Sequence, residues 1–443
     1  MGAKIFRTIS QRHLMEPIEQ ASHEGTFDVE IMMKPGETMQ RVVGFGASLT
    51  DSSAYLLNET LDDESRKQAM TDLFDPDQGI GLSMLRNPMG ASDYARDVYS
   101  YDDMPDGKRD DSMEHFSIAR DERNVIPLIH EAKRLNPDLK VVMSPWSAPA
   151  WMKTNGSMKA GSLREDCRET YARYFVQCLR AYGSHGIEVH AVTPQNEPLY
   201  EPTHYPSMAM SAQEETVFVR DHLRTAMREA GFKTLILGYD HNWDRCDYPL
   251  ALLDGAAESF DGIAWHWYAG DPQSQSVVSE RHPGKLSYVT EASGGEWIPG
   301  FEPAFSHLVG MIIQALNHGA NAFVLWNIAL DEHRGPTVPG FGESTCRGLL
   351  RVDSERRKAS KEIDYYGLAH FSRHIRPGAH VVPTIATGNT DGARCVAALN
   401  EDGSRAMVLL NDGESPITVR AGWEDNAANV TLTPKAVATI VWR

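Results

Sequence analysis

Apolar residues along the middle of the chain gather in eight runs of strand length. These are residues 42–46, 81–86, 139–143, 189–192, 235–239, 262–266, 286–289 and 322–326. Each run is followed by loop chemistry and, in most cases, by a helical pattern. After the third run, Tyr171, Tyr174, Phe175, Cys178, Leu179 and Tyr182 recur at helical spacing, and Gly183 and Gly186 supply stop signals. Ser211 and Glu214 have capping-box spacing ahead of a helix carrying Val217, Leu223 and Ala226. Eight strand–helix units predict an α/β fold, a (β/α)₈ TIM barrel, whose reacting groups come from the carboxyl ends of the strands.

The pattern changes at both ends of the chain. Between Thr26 and Met33 it alternates, which predicts a half-buried strand with Phe27, Val29, Ile31 and Met33 on one face. Beyond the turn at Pro377 and Gly378, β-type runs fall at 394–399, 405–410, 417–419 and 436–442. Hairpin signals at 400–403 and 411–413 separate the first three. An accessory β-sandwich built from the C-terminal tail plus the N-terminal strand is the economical reading. The expected division is 1–40 as an N-terminal segment of the sandwich, 41–376 as the barrel and 377–443 as the C-terminal sandwich domain.

A chain of 443 residues accommodates one barrel and one small domain. Its net charge of −18 argues against nucleic acid as a partner and disfavours unaided docking on an anionic membrane. The first ten residues lack the apolar stretch of a signal peptide, and Cys167, Cys178, Cys246, Cys346 and Cys395 lie far apart. Both features lead to the expectation of a reduced, cytoplasmic protein without membrane insertion. His204, His241, His266 and His333 show no metal-ligand spacing, so no metal and no cofactor is expected. Gly44 and Gly46 lack the third glycine and the later acid of a dinucleotide site. Asp51 reads as a helix cap.

Chemistry enters with Glu197 and Glu291, each just after an apolar run, the fourth and the seventh. A carboxylate there is poorly placed for a core and well placed for a pocket. Two carboxylates delivered to one rim by different strands meet the requirement of glycosidic hydrolysis. One protonates the leaving oxygen, and the other attacks the sugar carbon or guides water to it. With Glu291 charged nearby and partial burial, the Glu197 carboxyl is expected to be raised.

Residues 44–51, 85–94 and 144–156 resemble segments of glycoside hydrolase family 30, in its glucosylceramidase-like branch. So do 195–198, 265–268, 290–292 and 325–327, and the resemblance runs through nearly the whole chain in consistent order. It implies the barrel plus β-sandwich, Glu197 as acid/base and Glu291 as nucleophile. It further implies that Arg86, Asp93, Trp146, Asn196 and Trp326 line the subsite of the non-reducing sugar. His266 and Tyr268 would stand near the nucleophile, and Asn327 at the pocket wall. One departure is Ser293, where the glucosylceramidase pattern has Cys.

Several of these residues have an equally physical structural reading. Trp146 or Trp326 alone fits a sugar face or a barrel core. Asp93 fits sugar hydroxyls or a helix cap, and Asn196 a sugar hydroxyl or a loop cap. The resulting expectation is a retaining exo-β-glycosidase acting on β-glucosides, with short β-1,6-linked gluco-oligosaccharides first. A β-xylosidase or an endo-β-1,6-glucanase of the same fold is the near alternative, and a non-catalytic carbohydrate-binding barrel the distant one. Oligomeric state is not legible in the chain.

Overall fold

All eight apolar runs become parallel strands of one closed barrel, in the computed structural model that describes residues 3–18, 26–34 and 36–443. Parts of the expected 1–40 segment lie outside the described residues. In chain order the barrel strands are Gly44–Ser48, Met84–Pro88, Lys140–Ser144, Val189–Val192, Leu235–Asn242, Gly262–His266, Leu286–Glu291 and Ala322–Leu325. Each pairs with its neighbours in sequence, and the eighth closes on the first. The inner layer is filled by Met84, Val142, Ala191, Leu237, Ala264, Tyr288, Ala322 and Val324, all fully buried. Removing one such aliphatic side chain from water stabilises the fold by about 1.5–3 kcal/mol.

Helices cover the outside of the barrel. Arg168–Ser184 buries Tyr171, Tyr174, Phe175, Cys178, Leu179 and Tyr182, the stripe predicted from spacing. At Ser211 the reciprocal capping box with Glu214 forms as expected. Thr50, rather than Asp51, is the cap of the helix Asp51–Tyr55. Asp51 instead accepts two guanidinium hydrogen bonds from Arg96, each at 2.9 Å.

The accessory domain is a sandwich of two sheets. One has six strands, with Lys4–Thr8 and Glu16–Ile18 added to four strands of the C-terminal tail. The other has four, with Val29–Met33 between Thr384–Gly388 and Ile417–Trp423. Val29, Ile31 and Met33 are buried as the alternation requires, but Phe27 precedes the strand and is exposed. Residues 400–403 form the expected hairpin between Ala393–Leu399 and Arg405–Asn411. Residues 411–413 do not, because the strands on either side belong to different sheets. There the Asn411 amide donates to the carbonyls of Ser415 and Leu432, so its side chain bridges the crossing. Asn426–Leu432, which the sequence reading passed over, pairs with Ile417–Trp423 instead.

Two irregularities in the barrel set up the pocket. Against the sixth strand, the fifth shifts register between Tyr239 and His241, and the seventh between Val289 and Glu291. Asp240 and Thr290 are the extra residues. A bulge of this kind bends a strand and re-aims side chains. Tyr239 and Asp240 take φ of 76° and 53°, a conformation costing roughly 1–3 kcal/mol per residue and retained only where surrounding contacts enforce it.

Candidate active site

A pocket of about 410 Å³ opens at the carboxyl end of the barrel, lined in part by Asp93, Glu197, Tyr268, Glu291 and Trp326. Glu291 ends the seventh strand, and Glu197 follows the fourth with φ 45°. Arg86, at the carboxyl end of the second strand, is completely buried and serves four partners. Its Nη1 donates to Glu291 Oε2 at 2.6 Å, and its Nη2 donates to Asn196 Oδ1 at 2.7 Å, to Asp240 Oδ2 at 2.8 Å and, more weakly, to Ser144 Oγ at 3.4 Å. The Tyr268 hydroxyl donates to the other Glu291 oxygen at 2.9 Å. Both Glu291 oxygens are thus held, and the carboxylate has one orientation.

His266 lies between the two glutamates. Its Nδ1 is 3.1 Å from Glu197 Oε1 and 4.0 Å from Glu291 Oε1. Together the two distances bound the separation of those oxygens at about 7 Å, reaching only the bottom of the ~6.5–9.5 Å range of inverting enzymes. On its far side, His266 Nε2 meets Asp240 Oδ1 at 3.1 Å. Asp240 also accepts from Ser144, Thr193 and Thr290, at 2.7, 2.7 and 2.6 Å.

These contacts reverse one expectation. Burial pushes the Glu197 carboxyl up, but the imidazoles of His241 and His266 outweigh it and hold Glu197 at about 2. Burial lowers His266, but the Glu291 charge and the contacts with Asp240 and Glu197 raise it to about 9. Glu291 is pushed up by burial against the opposing charges of His266 and Arg86. In the free protein the proton of the Glu197–His266 pair therefore rests on the imidazole. In the sequence only Glu291 is visible as a charged neighbour of Glu197, because His241 and His266 reach it through the fold.

The remaining expected residues divide by depth. Asp93 lines the pocket, and its Oδ1 is buried without a hydrogen-bond partner among the described residues. Burial, with the charges of Glu291 and Glu197, raises its carboxyl well above the usual range. Trp326 forms pocket wall, and Trp146 stacks behind it at 4.9 Å, with the Arg86 guanidinium 4.8 Å from the Trp146 ring. Asn196 is buried on Arg86. Asn327 is not on the pocket: it is fully buried, with its Oδ1 accepting from Thr50 at 3.3 Å.

Leu199, Tyr200, Tyr205, His241, Asn242 and Cys346 complete the lining, and none was singled out as a site residue from sequence. Neither was Asp240. A signal existed for three of them, since Asp240, His241 and Asn242 are polar residues crowding the carboxyl end of the fifth apolar run. Cys346 is brought in by a long excursion after the eighth strand and carried no signal.

Two opposed carboxylates at the carboxyl end of a (β/α)₈ barrel, one clamped by Arg and Tyr and the other beside a proton-bearing imidazole, define a glycoside hydrolase. Residues 42–375 match the glycosyl hydrolase family 30 TIM-barrel domain and residues 378–440 the glycosyl hydrolase family 30 beta sandwich domain. The chain belongs to that family and is a β-glycosidase acting on carbohydrate. It is 30% identical to an endo-1,6-beta-D-glucanase, neg1, of Aspergillus fumigatus, over 94% of this chain and 90% of that one. It is 29% identical to the lysosomal acid glucosylceramidase of Mus musculus, over 84% and 75%. Among solved structures it resembles the endo-beta1,6-glucanase BT3312, with TM-score 0.90, 29% identity, and coverage of 100% of this chain and 99% of that chain. No helix of the described residues is long and apolar enough to cross a membrane.

Proposed function

We propose that this chain hydrolyses β-1,6-linked gluco-oligosaccharides with retention, by double displacement at Glu291. The observation that carries the reading is the clamp on Glu291. Arg86 and Tyr268 each bond one of its oxygens and orient it as a nucleophile. In the first step Glu291 attacks the anomeric carbon, and the bond to the leaving oxygen breaks. The proton of the Glu197–His266 pair passes from Nδ1 through Glu197 to that oxygen. In the second step Glu197 takes a proton from water, and the hydroxide displaces Glu291 from the sugar. The unpartnered Asp93 oxygen and the Trp326 face suit the hydroxyls and the apolar face of the bound sugar.

The β-1,6 linkage rests on relatives and a structural neighbour named as β-1,6-glucanases. Removal of single sugars from a chain end is the mode supported by the pocket wall that Trp326 forms, with Trp146 stacked against it at 4.9 Å. Internal cutting is the second reading, supported by those same names and by the exposed Leu199 and Tyr200 at the rim. Products from a β-1,6-glucan separate the two, since chain-end attack releases only glucose at early times and internal attack gives a ladder of oligosaccharides. Retention is tested with a 2-fluoro-β-glucoside, which should leave one glycosyl adduct, on Glu291. Rapid turnover without an adduct, or an adduct elsewhere, overturns the assignment.

A further inference from the structure

We propose that Glu197, His241 and His266 form a binding site for a divalent cation of the zinc class, whose occupation blocks the acid/base carboxylate. One oxygen or nitrogen from each of the three residues lies within 4.8 Å of the others. Glu197 Oε1 is 3.1 Å from His266 Nδ1 and 3.6 Å from His241 Nδ1. Ligands held ~2.0–2.1 Å from a tetrahedral zinc stand roughly 3.3 Å from one another. The two separations bracket that value, so small side-chain adjustments, with release of the proton that His266 Nδ1 shares with Glu197, seat the ion.

Two further observations point to a ligand rather than a packing accident. His241 Nδ1 is buried and has no hydrogen-bond partner among the described residues, although it faces a carboxylate. His266 offers Nδ1 to the site while its Nε2 meets Asp240 Oδ1 at 3.1 Å. That carboxylate behind the imidazole is the arrangement that fixes the tautomer and raises the basicity of a zinc-binding histidine. The fourth position opens onto the pocket, where water or the substrate's leaving group would sit.

Sequence spacing concealed this set. His241 and His266 are brought together because the fifth and sixth barrel strands pair, with His241 opposite Trp265 and Asn242 opposite His266. The register shift at Tyr239 and His241 aligns them this way. Occupied, the site would hold the Glu197 oxygen that the leaving group needs, so zinc and substrate would compete.

The test is titration of the full chain with Zn²⁺ alone near neutral pH, in competition with a chromophoric chelator. One Zn²⁺ per chain is expected. The affinity should fall by at least ~10-fold in Glu197→Gln and His241→Ala, since losing even an outer partner of a metal ligand costs that much. It should be unchanged in His13→Ala, which removes a surface histidine paired with Glu16. Equal affinity in the wild type and both pocket variants overturns the proposal, as does loss confined to His13→Ala or no binding below millimolar Zn²⁺. Binding is read directly, so the outcome does not depend on which glycoside is cleaved. On an unactivated β-glucoside, whose leaving group needs the Glu197 proton, Zn²⁺ should inhibit competitively and chelator should restore turnover.

Discussion

The main-chain carbonyl of Asp240 accepts the amide hydrogen of Glu197 at 3.0 Å. A bulged residue of the fifth barrel strand thus sets the position of a carboxylate that follows the fourth. The Asp240 side chain meanwhile bonds His266 and Arg86, which contact Glu197 and Glu291 respectively. Both reacting groups are therefore held through one buried aspartate, whose carboxyl is kept well below the usual range by Arg86 and His266 against burial.

Asp240→Ala is expected to cost about 3–5 kcal/mol, the penalty for removing one partner of a buried ion pair. Arg86 and Asp240 are both fully buried, so no solvent compensates. Urea denaturation measures the loss. A change under about 1 kcal/mol would show that Arg86 is satisfied without Asp240.

The two glutamates should differ in their replacement kinetics. Glu291→Ala should lower kcat by ~10⁴-fold or more on every substrate, because a nucleophile is indispensable to the first step. Glu197→Ala should retain much of kcat/KM with activated aryl glycosides, whose leaving groups need no proton, although kcat falls because the second step has lost its base. It should lose kcat/KM with unactivated glucosides. Leaving-group dependence of kcat/KM measures the difference, and equal losses on both substrate types would contradict the division of roles.

Tyr268→Phe removes the donor at 2.9 Å from Glu291 Oε1 while leaving the Arg86 bond intact. A hydrogen bond to a charged group is worth about 1.5–3 kcal/mol, so kcat/KM should fall by roughly 10–150-fold. The melting temperature should hardly move, since half of the Tyr268 residue is open to solvent on the pocket side (42% exposed).

His266 makes stability depend on pH. Raised to about 9 from its ordinary 6.5, it binds a proton in the folded state that the unfolded chain releases earlier. Its contribution is complete below pH 6.5 and is lost as pH climbs through about 9. Within that window stability should decline by at most ~1.4 kcal/mol per pH unit. His266→Gln should flatten this limb of the profile, as read from denaturation midpoints between neutral and alkaline pH. In the wild type, kcat/KM should fall on the same limb as the proton of the Glu197–His266 pair departs.

Much of the barrel was legible because a parallel strand buried on both faces is mostly apolar, and the eight runs keep that character despite single polar residues such as Ser83, Lys140, His190 and Ser287. The sandwich was read less completely. Asn426–Leu432 contains two Asn and a Thr, so its β pattern is weak in isolation, and burial of Ala428 and Val430 becomes visible only once Ile417–Trp423 lies beside it. Asn411 and Gly413 carry the chemistry of a hairpin turn, yet the chain uses that turn to change sheets. Asn327 failed as a pocket residue for a similar reason, since adjacency to Trp326 in sequence says nothing of which way the backbone turns at φ 63°.

Left to itself, the order of residues determined the eight strands and which of them would have a glutamate at or just beyond the carboxyl end, because period and run length are local properties of the chain. Which group holds the proton was decided only in three dimensions. His241, His266 and Asp240 act on Glu197 across distances of 3–4 Å, and a bulge of one residue aims them. Ionisation follows separation in space, and residues 43 to 69 positions apart along the chain acquire that separation only when the barrel closes.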